Sequence, residues 1–289
     1  MMKHGLFVGL LTLDFIYLAE SPPQENQKIV ASDYTVAAGG PATNAAVTFS
    51  YLGNFAKILG IVGSHPITGL IRGDLDAYGV AIADLEPNHV YPPPVSSIIV
   101  TQSSGDRAVI SLNAAKTPAN TTTIPANILE NIDIILIDGH QMVVSQEMAI
   151  MAKNQGIPIV IDGGSWKPGF ENILPYVDYA ICSANFHPPH CHTEQDVYNY
   201  LQTFPIPHIA ITHGEKPITY SHHGQISQID ICPTPTIDTL GAGDIFHGAF
   251  CHYILQENFP NALASASKIA ALSCQYFGTR QWMQHSGDG

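Results

Sequence analysis

Seven residues toward the end of the chain, Asp238-Thr239-Leu240-Gly241-Ala242-Gly243-Asp244, have the types and spacing for chemistry on a phosphate. They lead into a run in which Ile245, Phe246, Ala249, Phe250, Tyr253 and Ile254 recur at helical spacing. The first N–H groups of a helix lack internal partners and lie at the positive end of its dipole. Gly241, Ala242 and Gly243 have little or no side chain, so an anion can approach those amides. Asp244 then sits in the first turn, beside the anion site. A carboxylate there repels the ligand unless it has a task. One task is that of general base, taking the proton from a hydroxyl that attacks phosphorus. The competing reading is an ordinary acidic residue at a helix start; the flanking glycines favour the base. Other phosphate motifs are excluded. G-x-x-x-x-G-K-[ST] and H-R-D do not occur, and G-x-G-x-x-G fails at Phe246.

A second constellation lies near the start. Gly39 and Gly40 precede Pro41, a good first helical residue, and the helix runs through Ala45, Ala46, Phe49 and Leu52 to Gly53. Its first amides suit hydroxyls or an anion, with Asn44 pointing from the first turns. Asp14 closes the apolar run from Gly5. A lone carboxylate there must be exposed or partnered. Arg107 opens the second strand of a hairpin and is a candidate to reach over phosphates or acceptor, or else an exposed edge charge. Asp138, Asp162 and Asn185 each follow an apolar strand. Open α/β sheets bind ligands beyond the carboxyl ends of their strands. The three suit phosphate-bound Mg²⁺ or its waters, or simply cap loops.

The elements that must hold these residues follow from hydrophobic pattern. Ile132–Ile137, Ile157–Ile161, Tyr179–Cys182 and His208–Ile211 are Ile-rich and do not alternate, which predicts parallel strands covered on both faces. A helix is predicted over Ser145–Gln155, capped by Ser145 and ended by Gly156. Another, Asn261–Phe277, has a face of small residues that suits close packing on a sheet. Gly5–Leu13 is too short to span a membrane, lacks the flank and cleavage site of a signal peptide, and reads as the first core strand. Val95–Thr101 and Arg107–Asn113 alternate and predict a hairpin across Gly105. With strands flanking the Ser21–Gln27 loop, it predicts a small sheet from residues 15–37 and 90–113. His222 and His223 mark a turn with Gly224, and His247, just past Asp244, reads as a solvent-facing helical residue, with an approach to the phosphates as the alternative.

Composition narrows the class. The chain has 289 residues, 45% of them hydrophobic and 12% charged, and a formal charge of −13. That suits one large α/β domain, or two small ones, rather than a disordered chain. Three Arg and eight Lys, scattered along an acidic chain, argue against nucleic acid or an anionic membrane as partner. Five cysteines without a C-x-x-C suit a reducing cytoplasm. His187-Pro188-Pro189-His190-Cys191-His192 reads as a stiff surface loop, with zinc binding as the alternative.

Asp238–Asp244 resembles the D-T-x-G-A-G-D motif of the ribokinase-like (phosphofructokinase B) carbohydrate kinases. Gly39-Gly40-Pro41-Ala42-Thr43-Asn44-Ala45-Ala46, running to Leu52-Gly53, is similar to that family's N-terminal motif. Gly105-Asp106-Arg107 and Ile137-Asp138-Gly139-His140 are most similar to its ketohexokinase group. The resemblance implies a three-layer α/β/α core with a mostly parallel sheet and a small β-sheet lid, one kinase domain over 1–289. It implies ATP with Mg²⁺ and a sugar or sugar-like acceptor. Gly39, Gly40, Asn44 and Asp14 would contact the sugar. Thr212, Gly214 and Asn185, with Gly241 and Gly243, would bind the nucleotide. A homodimer through paired lids is also implied. The chain departs from the family's N-x-x-E, having Pro188 where Glu is usual, and from its T-x-G-x-x-G, having Pro217 for the second glycine. Pro41 replaces the Asn of ketohexokinases. The alternatives are a nucleoside acceptor, or a sugar or nucleotide sensor without chemistry.

Overall fold

The computed structural model describes residues 2–111, 119–222 and 224–284. The four Ile-rich runs form β8 (Ile134–Ile137), β9 (Ile159–Gly163), β10 (Tyr179–Ser183) and β11 (His208–His213). They join β1 (His4–Val8), β4 (Phe55–Gly60) and β5 (Val80–Asp84) as parallel neighbours. The antiparallel pair β12 (Lys216–His222) and β13 (Gln225–Ile229) extends one edge. The order is β13-β12-β11-β10-β9-β8-β1-β4-β5. His222 pairs with Gln225, so the turn lies between them as expected; His223 itself is outside the described residues.

Both faces of this sheet are covered, which is why its strands do not alternate. One core cluster joins Phe7, Ile58, Leu136, Val160 and Ile181 to α1 (Pro41–Tyr51), α2 (Thr68–Ala77), α5 (Ala242–Tyr253) and α6 (Phe259–Ser273). The other joins Leu6, Val8, Ile135, Ile161 and Cys182 to α3 (Met142–Gln155) and α4 (Glu194–Leu201). Successive strand residues feed opposite clusters, giving three layers. Pro41 opens α1, and Gly156 ends α3 with φ 71°. α3 begins earlier than the sequence predicts. Ser145 lies inside it, buried, and its hydroxyl donates to the His140 carbonyl at 2.9 Å. The sequence pattern left α2, β4 and β5 unassigned.

A second sheet has the order β3-β2-β6-β7, from β2 (Thr12–Ala19), β3 (Asp33–Gly39), β6 (Val95–Thr101) and β7 (Arg107–Ser111). β2 pairs antiparallel with β3 and parallel with β6. The expected hairpin is present; Leu112 and Asn113 lie outside the described residues. The N-terminal run departs from expectation. Gly5–Leu13 is not one core strand: β1 ends at Val8, and the chain enters the small sheet at Thr12. Asp14 is therefore the third residue of a lid strand, not the end of a core strand.

Candidate active site

The large sheet reverses its order between β1 and β8, and open α/β sheets bind ligands at such a switch point. Gly9 follows β1 and Asp138 follows β8. The Asp138 carboxylate is buried and accepts from the amides of Leu10 (2.9 Å), Ala42 (3.2 Å) and His140 (2.8 Å). It thus ties β1, α1 and the turn after β8 together. Burial favours its neutral form. The charge and hydrogen bond of His140, the Leu10 amide and the Lys167 charge outweigh that and hold its pKa at about 2.

The start of α1 lies against the lid. Gly40 has φ 104°, and a Cβ there would sit 2.2 Å from the Leu10 carbonyl oxygen. A Cβ on Gly39 would sit 1.9 Å from Asp14 Oδ2. Both glycines are required for this close approach. Asp14 is buried, and its Oδ1 accepts from the Thr12 hydroxyl at 2.8 Å. Burial raises its pKa, partly offset by Thr12, Ser96 and the Arg280 charge.

Gly241 caps α5 with φ 70°, a conformation glycine adopts readily. Asp244 is in the first helical turn, as expected, and half-buried. Asn44 Nδ2 donates to Asp244 Oδ2 at 2.8 Å, joining the two sequence motifs across 200 residues. Burial and the Asp162 charge push the Asp244 carboxyl up to about 7, against the lowering effects of Asn44 and His247. The Gly243 position is open: a Cβ there would meet nothing within 4 Å. The amides are not equivalent, since Ala242 N–H donates to the Thr239 carbonyl at 3.3 Å. Gly243 and Asp244, also in the first turn, precede the helical ladder.

Arg107 reaches this loop from the lid. Its Nη1 donates to Thr239 Oγ1 at 3.0 Å, and Thr239 Oγ1 donates to the Gly105 carbonyl at 3.3 Å. The remaining predicted residues lie at or just beyond strand ends. Asp162 Oδ1 accepts from Gly164 N–H at 2.9 Å. Asn185 is exposed, and its N–H donates to Ser183 Oγ at 3.1 Å. Thr212 donates to the Cys182 carbonyl at 3.3 Å, and Gly214 makes the following turn with φ 65°. Among the described residues no three His, Cys, Asp or Glu side chains are grouped to hold a metal ion. In the His187–His192 loop, Cys191 Sγ faces the carbonyls of Pro189 and Asp196 instead.

Two residues differ from the sequence reading. His247 is buried, not solvent-facing. Its Nδ1 lies 2.7 Å from the Gly243 carbonyl oxygen and 3.4 Å from Asp162 Oδ2; its Nε2 lies 3.2 Å from the Ile181 carbonyl oxygen. The α5 face that carries it packs on the sheet. Arg280 carried no role in the sequence reading, yet it is buried and donates to Asn44 Oδ1 at 2.9 Å. Its rarity was the available signal, since the chain has only three arginines.

The family follows from comparison. The description "pfkB family carbohydrate kinase" matches residues 2–285, and the chain belongs to that family. It is 24% identical to a ribokinase of Bacillus subtilis over 290 residues, covering 98% of this chain and 96% of that protein. It is 23% identical to a ketohexokinase of Mus musculus, covering 94% and 96%. Its fold is similar to that of a putative ribokinase from Agrobacterium tumefaciens, with a TM-score of 0.85 and 23% identity over 99% of this chain and 98% of that one. It is also similar to an Arabidopsis thaliana ribokinase complexed with ribose and ATP, with a TM-score of 0.76 and 21% identity over 96% and 94%. Among the described residues no helix is long and apolar enough to cross a membrane.

Proposed function

We propose that the protein transfers the γ-phosphoryl group of ATP to a hydroxyl of a sugar or sugar-like molecule, with Asp244 as general base. The observation that carries this reading is the Asn44–Asp244 contact of 2.8 Å beside the open Gly243 position. It sets a carboxylate with a pKa of about 7 next to free helix-start amides. Such a base is matched to neutral pH.

The acceptor site is the space bounded by Asp14, Gly39, Gly40 and Asn44. Asp14 accepts hydrogen bonds from acceptor hydroxyls. Asp244 takes the proton of the attacking hydroxyl. The amides of Gly243 and Asp244, helped by the smallness of Gly241 and Ala242, stabilise charge on the transferred group. Arg107 adds a cation from the lid, which closes over the acceptor and excludes water. Thr212 and Gly214 border the nucleotide. The residues present fit ATP, since the Gly243 position has room for phosphate oxygens. Asp162 and Asn185 offer the oxygen donors that Mg²⁺ prefers and would hold it or its waters. When bound, Mg²⁺ offsets phosphate charge. Asp138 serves better as a scaffold, because its oxygens already accept from three amides.

The lid also supports a homodimer. Tyr17 pairs with Tyr34 and Ile99, and Phe15 with Ser97, which pairs with Ile110, so these side chains share one face. Tyr17, Tyr34 and Ile110 are exposed on it, at 37%, 68% and 78%. The five free cysteines are consistent with the cytoplasm.

The test is ADP release with ATP and Mg²⁺ over D-ribose, 2-deoxy-D-ribose, D-fructose and a set of nucleosides, for the native chain and Asp244→Asn. Turnover on a sugar is expected, with a fall of ~10²–10⁴ in the variant and retained ATP binding. Turnover on nucleosides alone moves the acceptor class. Binding without turnover on any compound favours a sensor. Undiminished turnover in Asp244→Asn overturns the mechanism.

A further inference from the structure

Arg280 is 8% exposed, and its guanidinium ties three elements to its own segment. Nη2 donates to the Ala38 carbonyl of lid strand β3 at 2.7 Å and lies 3.1 Å from Asp74 Oδ2 of α2. Nη1 donates to Asn44 Oδ1 of α1 at 2.9 Å and to its neighbour Thr279 Oγ1 at 3.0 Å. Asp74 already supplies the counter-charge that a buried cation needs. The bond to Asn44 is not required for that purpose, yet it has a chemical consequence. An asparagine amide has an accepting end and a donating end. Turned one way, it sets an oxygen against the Asp244 carboxylate; turned the other, it sets an NH₂ there. Arg280 takes the oxygen, so Nδ2 is left to donate to Asp244 Oδ2 at 2.8 Å.

We propose that Arg280 is a positioning residue: by holding Asn44 Oδ1 it fixes the Asn44 amide toward Asp244 and aims that carboxylate at the acceptor hydroxyl. This rests on reading Asp244 as the base. A base must lie within hydrogen-bond reach of the proton it takes, and a misplacement of ~1 Å costs ~10² in rate. Arg280 also grips Ala38, one residue from Gly39, so the same guanidinium sets the base and the lid strand that borders the acceptor.

The test uses the full chain with Arg280→Gln, Arg280→Lys, Asp74→Asn and Asn44→Ala. Two readouts apply: crystal structures, and ADP release with ATP, Mg²⁺ and the sugar of the panel above that turns over fastest. In Arg280→Gln the Asn44–Asp244 contact is expected to be lost. Its kcat falls by about tenfold or more, with KM for ATP unchanged. Added to Asn44→Ala, the same change has little further effect, because the two act as a unit. Arg280→Lys, which keeps the charge, recovers part of kcat and carries the test if Arg280→Gln does not fold. Asp74→Asn lowers the melting temperature but keeps the contact and kcat. An intact contact with kcat within about twofold of native in Arg280→Gln overturns the proposal. So does an equal loss of kcat in Asp74→Asn, which would mean a merely structural role. Full turnover in Asp244→Asn defeats the base reading alone, and the crystal contact still decides whether Arg280 holds Asn44.

Discussion

Asp244 is held where its neutral form is favoured, and two outcomes follow with definite sign. Its pKa is raised from 3.8 to about 7, chiefly by burial and the Asp162 charge. The base must be ionised to act, so kcat/KM should fall about tenfold per pH unit below about 7. A pH–rate profile that stays flat down to pH 5 would contradict this. The same shift governs stability. A carboxyl with a raised folded-state pKa binds its proton more tightly folded than unfolded. Its contribution is favourable below the unfolded pKa and is lost as pH rises through the folded one. Asp244→Asn should therefore raise the melting temperature by about 2–4 °C at pH 8, and by less at pH 5, while lowering turnover by ~10²–10⁴. Calorimetry at the two pH values checks it. Gly39→Ala tests the approach of the lid to α1. Its new Cβ would lie 1.9 Å from Asp14 Oδ2, so the acceptor KM should rise at least about tenfold; an unchanged KM would show that the strand gives way freely.

At the scale of elements, the N-terminus of α5 is the critical junction. Gly241 must adopt φ 70°, and a Cβ there would sit 2.8 Å from Thr279 Cγ2. Gly241→Ala should cost about 1–3 kcal/mol in denaturant unfolding and also reduce kcat. A wild-type midpoint would mean that the turn relaxes. The lid hairpin meets the same loop through Arg107 and Thr239. Arg107 is exposed, so Arg107→Ala should leave the melting temperature unchanged and raise a substrate KM. These elements were unequally legible. β8 to β11 were readable because strands buried on both faces must be apolar throughout. α5 was readable from its glycine start and helical spacing. β4 and β5 were not, being short runs that mix Lys or Asp with apolar residues, and α2 was not, since it lacks a capping side chain and carries Gly69 and Gly73. The break between β1 and β2 was also hidden. A single apolar run serves two sheets, and hydrophobicity records burial rather than which sheet buries it.

For the whole molecule, the proposed function requires a charge of −13 to coexist with a polyanionic nucleotide. Two of the three arginines stand near the site: Arg107 over the α5 loop and Arg280 beneath Asn44. On the proposed function, helix-start amides would carry much of the anion binding, at low cost in net charge. The exposed lid face predicts assembly. Light scattering should give twice the chain mass at micromolar concentration, and Ile110→Asp should give the monomer, because a charge facing an apolar partner surface is unfavourable. A native chain that scatters as a monomer would remove the dimer.

The amino-acid sequence by itself determined the three-layer class, the family, the small-residue turn at Gly241–Gly243 and the candidacy of Asp244. Each of these depends on local pattern: strand hydrophobicity, helical period, and small residues at a helix start. Tertiary structure alone decided what surrounds Asp244. Asn44 lies 200 residues away in sequence, and Arg280 lies 236 residues from Asn44. Asp162 and His247 come from different elements, and only packing α5 on the sheet sets them 3.4 Å apart. Burial and the proximity of charges determine a carboxylate's proton affinity, and both are properties of the assembled fold.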